Sequence, residues 1–423
     1  MKKFSRILIA IAGAPVVLLL WAFSLLRRPR YADCAEVVVL YSQVIWDEVW
    51  QRPQQYAWLT SRQVPVIYCC PVQLHNLLIL GKRWKPVQVF EKDGQRLVVL
   101  SPLVFSGHFK SHWIHRLNSR IVASHLRQAT PKNARVYFLT NTPYGLTVLQ
   151  DTLYAGGRRL PQLHRLVYDV IDDFTVFDWS PAFGKSHDAL LMQMADSVIA
   201  GTHELADSRP NTVFIPCGVD FDLFATAQPA PPEVAGLPRP ILGYFGTISE
   251  RVDMAIIAGL ADRFPEGSVV MVGPVHLPLS ALPQRANIHW LGLKRHHELP
   301  AYAQAFDVAL IPFRITDATV KLNPVKTLEY LAAGLPVVAT RLPDLEKFYH
   351  HIVHIADSAE EFAEEVENLL HQPNHGRIQK GVETAKETSW NSMVEKINEA
   401  LQLTVPPATH PQAGTPDGET PRP

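Results

Sequence analysis

Residues 321–340 read KLNPVKTLEYLAAGLPVVAT, and this stretch decides the fold. Asn323 is a favoured helix N-cap, and Pro324 suits a first helical position. Val325, Leu328 and Ala332 fall on one face of a helix over 324–333. Gly334 stands where a helix end takes a left-handed residue, and Pro336 blocks continuation. LPVVAT then reads as a buried strand. Lys326 and Glu329 sit beside the buried face, three residues apart. One reading makes them a surface ion pair worth about 0.2–0.5 kcal/mol. The other has Lys326 and the open N–H groups of the helix start facing a phosphate, with Glu329 accepting hydrogen bonds from a ribose diol.

The same grammar extends in both directions. Apolar runs at 240–248, 267–275, 287–293 and 306–313 precede the helix, with helical patterns at 250–264 and 297–305 between them. An earlier series, at 36–42, 64–71, 96–102, 134–140, 164–172, 196–202 and 211–220, alternates with helices at 51–62 and 112–129. Short uninterrupted apolar strands separated by helices predict parallel sheets covered on both faces. Two further helices are expected at 356–372, where Ser358 and Glu361 make a capping box, and at 389–403. The two strand series are separated by a proline-rich stretch without hydrophobic period. Ligands of such sheets bind outside the carboxyl ends of the strands.

At 423 residues the chain is long enough for two domains. Forty basic and forty acidic residues balance, which gives no reason to expect a nucleic-acid partner. The four cysteines, Cys34, Cys69, Cys70 and Cys217, form no CxxC pair and read as reduced thiols. His108, His112 and His115 lie close together, but no carboxylate shell accompanies them, and no metal is expected. Residues 7–26 are free of charge and match the ~20 residues that span a bilayer. Basic residues on both flanks leave the orientation of this expected anchor open.

Several stretches resemble one family. NPVKTLEYLAAGLPVVAT is similar to the donor-site helix of GT-B glycosyltransferases, particularly the family 4-like enzymes of glycosyl transferases group 1. VFIPCGVDFDLF (213–224) resembles their interdomain junction, with Cys217 in place of the usual Asn. ILGYFGTI, VVMVGPV and NIHWLGLKRHHELPAYAQAFDVALIPF resemble the following donor-domain strands in the right order. The likeness covers 213–400 well. The first half is similar only through QRPQQ (51–55) and YDVIDDF (168–174). Family members of this kind act in cell-surface polysaccharide synthesis.

The resemblance implies roles residue by residue. Glu329 would grip the nucleotide ribose. Gly246, Thr247, Arg251, Asn323 and Lys326 would line the donor diphosphate, and Leu293 and Lys294 would meet the base. A departure stands at Lys321, where the family places an acid that binds sugar hydroxyls. Asp172 and Asp173 end a strand, so either would bind an acceptor hydroxyl or take its proton, or else cap the strand end. Asp169, inside the strand, reads as structural. Arg52 is a candidate for the acceptor side or a solvated residue before a helix, and TNTPYG (140–145) would line the acceptor side.

The resulting expectation is an α/β fold: two doubly wound Rossmann-like domains facing a cleft, preceded by one transmembrane helix. Its parts are an anchor (1–30), an acceptor domain (31–222), a Pro-rich linker (223–240), a nucleotide-sugar donor domain (241–388), a C-terminal helix (389–403) and a disordered tail (404–423). The expected activity is hexosyltransferase-like. It moves a sugar from a UDP- or GDP-linked donor to a lipid-linked or glycan acceptor, retaining configuration, with no metal and no cofactor beyond the sugar nucleotide as co-substrate. The catalytic body would be cytoplasmic and tethered to the membrane. The rivals are a nucleotide-sugar epimerase of the same fold and a degenerate binding subunit, which Lys321 favours.

Overall fold

A computed structural model describes residues 34–47, 51–80, 84–91, 94–174, 180–317, 319–320 and 322–403. The expected anchor at 7–26, the tail at 404–423 and Lys321 lie outside the described residues. Among the described residues no helix is long and apolar enough to cross a membrane. The chain divides into two units: Met1–Ile215 with Val394–Pro423, and Pro216–Met393.

The first unit is built on β1 (Glu36–Tyr41), β2 (Val66–Cys69), β3 (Val87–Phe90), β4 (Leu97–Leu100), β5 (Arg135–Thr140), β6 (Leu163–Val170), β7 (Ser197–Ala200) and β8 (Thr212–Phe214). They form one sheet in the order β8-β7-β6-β5-β1-β2-β4-β3. All neighbours are parallel except β3, which runs antiparallel on the edge. In β1, Val38 pairs with Tyr137 on one side and Val66 on the other. Being central, β1 is buried from Val37 to Tyr41, which is why its sequence shows no polar alternation.

The second unit holds β9 (Ile241–Phe245), β10 (Ser268–Val272), β11 (Ile288–Gly292), β12 (Val308–Ile311), β13 (Val337–Thr340) and β14 (His354–Ala356). Their order is β11-β10-β9-β12-β13-β14, parallel throughout. Counted along the chain this is 3-2-1-4-5-6, and the parallel strands of the first sheet wind the same way. Winding reverses between β1 and β5, and again between β9 and β12. At such reversals of a doubly wound sheet, ligands bind beyond the carboxyl ends of the strands. Each unit has its own apolar core.

Three expectations are corrected. The Pro-rich stretch 223–240, expected as a linker between domains, is part of the second unit. Val234 is buried in the short helix Pro232–Ala235. The Gln228 N–H donates to Gln304 Oε1 at 2.8 Å, and Gln304 Nε2 donates back to the Phe224 and Thr226 carbonyls. The C-terminal helix, Trp390–Leu401, is not a separate piece: from Val394 onward it belongs to the first unit, where Tyr56 OH donates to Asn398 Oδ1 at 2.8 Å. Finally, Asn323 does not cap the helix at 326–332. The residue before that helix is Val325 in helical conformation, without a side-chain cap, and the Asn323 side chain hydrogen-bonds Tyr349 instead.

The other end of that helix is as expected. Gly334 has φ +73°. Gly334 N–H donates to the Leu331 carbonyl at 3.0 Å, and Leu335 N–H donates to the Tyr330 carbonyl at 3.1 Å. That is the paired closure of a Schellman end.

Candidate active site

The site in the second unit begins where β9 stops. Gly246, just past its end, has φ +137°, and Gly273, just past β10, has φ +142°. Gly273 has no room for a side chain, since a Cβ there would lie 2.0 Å from the Gly246 carbonyl oxygen, and a Cβ on Gly246 would press on the end of the Lys326 side chain at 2.9 Å. Two strand ends therefore meet backbone to backbone, leaving the Gly246-Thr247 peptides at the winding reversal. Helix Lys326–Ala332 is held against this loop by Tyr330, whose hydroxyl accepts the Phe245 N–H at 2.8 Å.

Lys326 reaches over that loop. Its Nζ stands 5.1 Å from the Tyr244 ring centre and 4.8 Å from that of Phe313, within range of cation–π attraction. Burial pushes its pKa down to about 8, with Glu329 pulling it up and Arg251 pushing it further down. Arg251 is exposed, and its backbone is pinned nearby: its carbonyl accepts from Arg314 N–H at 2.8 Å, and Val252 bridges Phe313. Two cations thus lie near the same glycine loop, and their mutual repulsion adds to the lowering of the Lys326 pKa. The surface ion pair between Lys326 and Glu329 does not form. Among the described residues no carboxylate pairs with the Lys326 ammonium, and Glu329 Oε1 is 3.2 Å from His296 Nε2. The Glu329 side chain is 13% exposed, so it is sheltered yet reachable. Such an arrangement can hold a diphosphate beside Lys326 and Arg251 and a diol beside Glu329.

Gly246, Thr247, Arg251, Lys326 and Glu329 are therefore brought together. Leu293 and Asn323 are less well placed: the Leu293 side chain is exposed, and Asn323 is turned to Tyr349. Lys294 is committed elsewhere, paired with Glu233 and lying over the Tyr302 ring at 5.5 Å. Sequence reasoning missed His296, Tyr244 and Phe313, whose roles depend on neighbours far along the chain. A hollow of about 130 Å³ shares Phe313 with this site and continues past Thr340, Arg341 and Ser358.

In the first unit, Asp172 is exposed just beyond β6, while Asp173 Oδ1 lies 3.4 Å from an Arg209 guanidinium nitrogen. Thr140–Gly145 closes the carboxyl ends of β1 and β5 together. Asn141 Nδ2 donates to Ser42 Oγ at 3.1 Å, and a Cβ on Gly145 would fall 2.1 Å from Thr140 Oγ1. Arg52 is a correction to the solvated reading: it is buried. Its Nε donates to Asp169 Oδ2 at 2.8 Å and its Nη1 to the Ile215 carbonyl at 2.6 Å, with side chains 3% and 4% exposed for Arg52 and Asp169. Asp169 is structural, as its place within the strand implies.

The histidines form a buried aromatic cluster. His115 Nδ1 is 3.1 Å from His108 Nε2, and His115 Nε2 is 2.8 Å from Thr147 Oγ1. Tyr144, Phe183 and His187 surround them. Burial, helped by the neighbouring imidazoles, lowers His108 and His187 to about 4 and His115 to about 2. Among the described residues no group of His, Cys, Asp or Glu could hold a metal ion.

The sequence model of the Glycosyl transferases group 1 family matches residues 239–372. TuaH of Bacillus subtilis, named as a teichuronic acid biosynthesis glycosyltransferase, is 26% identical over 233 residues. That match spans 50% of this chain and 58% of TuaH, so the chain covers just over half of that relative's length. Sucrose-phosphate synthase from Thermosynechococcus elongatus is similar in structure, with TM-score 0.63 and 15% identity over 87% of this chain and 98% of the synthase. HepE of Anabaena, solved in complex with UDP, gives TM-score 0.59 and 14% identity over 87% of this chain and 99% of its own. At such identities these structures speak for the fold alone. Residues 239–372 thus match the glycosyl transferases group 1 family, and the described residues carry a two-domain α/β fold of the GT-B kind.

Proposed function

We propose that this chain is a glycosyltransferase that moves a sugar from a nucleoside-diphosphate sugar, held by the second unit, to a lipid-linked or glycan acceptor, held by the first. The observation that carries the reading is the Lys326 ammonium: it has no carboxylate partner among the described residues, and it lies against Gly246 at the winding reversal beside Arg251. UDP in HepE, and the naming of TuaH for teichuronic acid biosynthesis, support a nucleotide-sugar donor and a polysaccharide product.

In this reading Lys326 and Arg251 hold the diphosphate, the Gly246-Thr247 backbone lies close to it, and Glu329, steadied by His296, accepts from the ribose. The bond between the anomeric carbon and the donor phosphate oxygen breaks, and its electron pair goes to the diphosphate. The acceptor oxygen bonds to the anomeric carbon on the same face. Its proton passes to the departing phosphate oxygen or to Asp172. Stabilising the leaving diphosphate is the main demand on the protein, and the transfer uses no metal or further cofactor. Asp173, drawn to Arg209, supports the loop. The apolar run 7–26 would tether the enzyme to a membrane, with its body on the cytoplasmic side where sugar nucleotides are made.

A thermal-shift screen of the full chain against UDP, GDP, ADP and their sugars tests the reading. A true donor at 100 times its dissociation constant should add roughly 2.7 kcal/mol of stability. Lys326→Ala and Glu329→Ala should remove that shift. Release of an isomerised sugar nucleotide without acceptor would instead indicate an epimerase. A shift without any turnover would indicate a binding subunit.

A further inference from the structure

We infer that the first unit carries a membrane-docking patch centred on Trp113, which seats on the headgroup layer of an anionic bilayer. Trp113 is the second residue of helix His112–Ala129 and is 72% exposed. That helix contains Arg116, Arg120 and Arg127 and no acid. Trp113, Arg116, Arg120 and Arg127 follow one another at helical spacing, so they line one flank. Lys110, just before the helix, and Lys185, on helix Ala182–Met194, are also exposed. The two helices meet where the His112 ring stands 5.3 Å from that of Phe183.

The apolar part lies alongside. Phe105, Phe109 and Ile114 are half-buried around the turn that leads into the helix. That turn is tight: Gly107 has φ +94°, and a Cβ there would touch Ile114 Cδ1 at 3.3 Å. His75 ties in a second helix, Leu74–Leu80, which has no charged residue; its N–H donates to Ser106 Oγ at 3.1 Å. One acid intrudes. Asp151 takes Arg116 at 3.2 Å and the Ser119 hydroxyl at 2.7 Å. Lys110, Arg120 and Lys185 have no acidic partner among the described residues.

The chemistry selects a lipid surface over other anions. An exposed indole has an apolar body and a polar edge, which suits the boundary between headgroups and acyl chains. Basic residues flanking an apolar rim attract anionic lipids, and the attraction falls off within a Debye length. The patch is separate from the apolar run 7–26. A tether alone leaves a domain free to turn; a second contact sets which face meets the bilayer.

The full chain is reconstituted into phosphatidylcholine vesicles with or without phosphatidylglycerol, both carrying brominated acyl chains. Emission of wild type minus that of Trp113→Phe isolates the Trp113 signal, and amide exchange is followed over 107–117. The expected result is quenching of Trp113 and slowed exchange only when phosphatidylglycerol is present. Arg120→Glu, with an unchanged melting temperature, should weaken both effects roughly fivefold or more. Equal quenching in both vesicles, none in either, or protection by an added oligonucleotide or polyglutamate in place of lipid overturns the assignment.

Discussion

The Lys326 ammonium lies 3.0 Å from the position that a Cβ on Gly246 would occupy. A lysine at the start of one helix is thus packed on a glycine at the end of a strand eighty residues earlier. Neither residue is informative alone. Together they define a place where a cation, open backbone and a winding reversal coincide.

Gly246→Ala therefore tests the relationship. The methyl group meets both a positive φ, which costs about 1–3 kcal/mol of strain for other residues, and the Lys326 side chain. Nucleoside-diphosphate affinity is expected to fall roughly tenfold or more, the cost of losing one charge-assisted contact worth about 1.5–3 kcal/mol. Calorimetric titration of Gly246→Ala, Lys326→Ala and the double variant should show clear non-additivity, because the residues touch. Independent, additive losses would mean that Gly246 does not set the position of Lys326.

Donor binding should depend on pH through Lys326. Its pKa is lowered to about 8 by burial, and only the protonated amine attracts a diphosphate. Affinity of the unliganded protein is expected to be flat below that value and to weaken as pH rises through it. Lys326→Arg, charged at every accessible pH, should remove the dependence while keeping binding. A wild-type titration with no change between about pH 7 and pH 11, a range that covers both the lowered value and the ordinary lysine value of about 10.4, would count against the lysine as a phosphate ligand.

Arg52 and Asp169 make a different prediction. Removing one partner of a buried pair leaves an uncompensated charge and costs about 3–5 kcal/mol. Arg52→Ala should lower the melting temperature sharply without a selective rise in acceptor KM. Arg52→Met with Asp169→Leu should recover much of the lost stability. A stable Arg52→Ala with weakened acceptor use would place this residue on the acceptor side.

The imidazole cluster should make the fold sensitive to acid. His108, His115 and His187 have folded pKa values pushed below the ordinary histidine value by burial. The unfolded chain then binds more protons, so stability is complete above about pH 6.5 and declines as pH falls toward 4. Melting temperature measured across that window should drop. His115→Gln should reduce the slope while lowering stability at neutral pH, since its contacts to His108 and Thr147 are disturbed. A pH-independent melting temperature would mean that the cluster opens to water.

Much of the architecture could be read directly. Apart from the edge strands β3 and β14, the strands of both sheets fall on the apolar runs, because a strand buried on two faces must be apolar throughout. Helix His112–Ala129 has the expected ends. Elements with little apolar surface were not legible. Helix His375–Glu387 buries only Gly381 and Ala385, and its close approach to Leu331 depends on the missing Gly381 side chain. That contact leaves no hydrophobic period. Strand β3, short and on the edge, is silent for a similar reason.

By itself, then, the sequence determined the two-fold α/β grammar, the glycine stops and the presence of Lys326 and Glu329 on one short helix. Local spacing and burial are enough for those. The tertiary structure alone decided the partners: His296 for Glu329, the Tyr244 and Phe313 rings for Lys326, Asp169 for Arg52. A side chain's charge state and availability depend on what the fold brings within a few ångströms. Residues 117 positions apart, as Arg52 and Asp169 are, have no local pattern that announces their meeting.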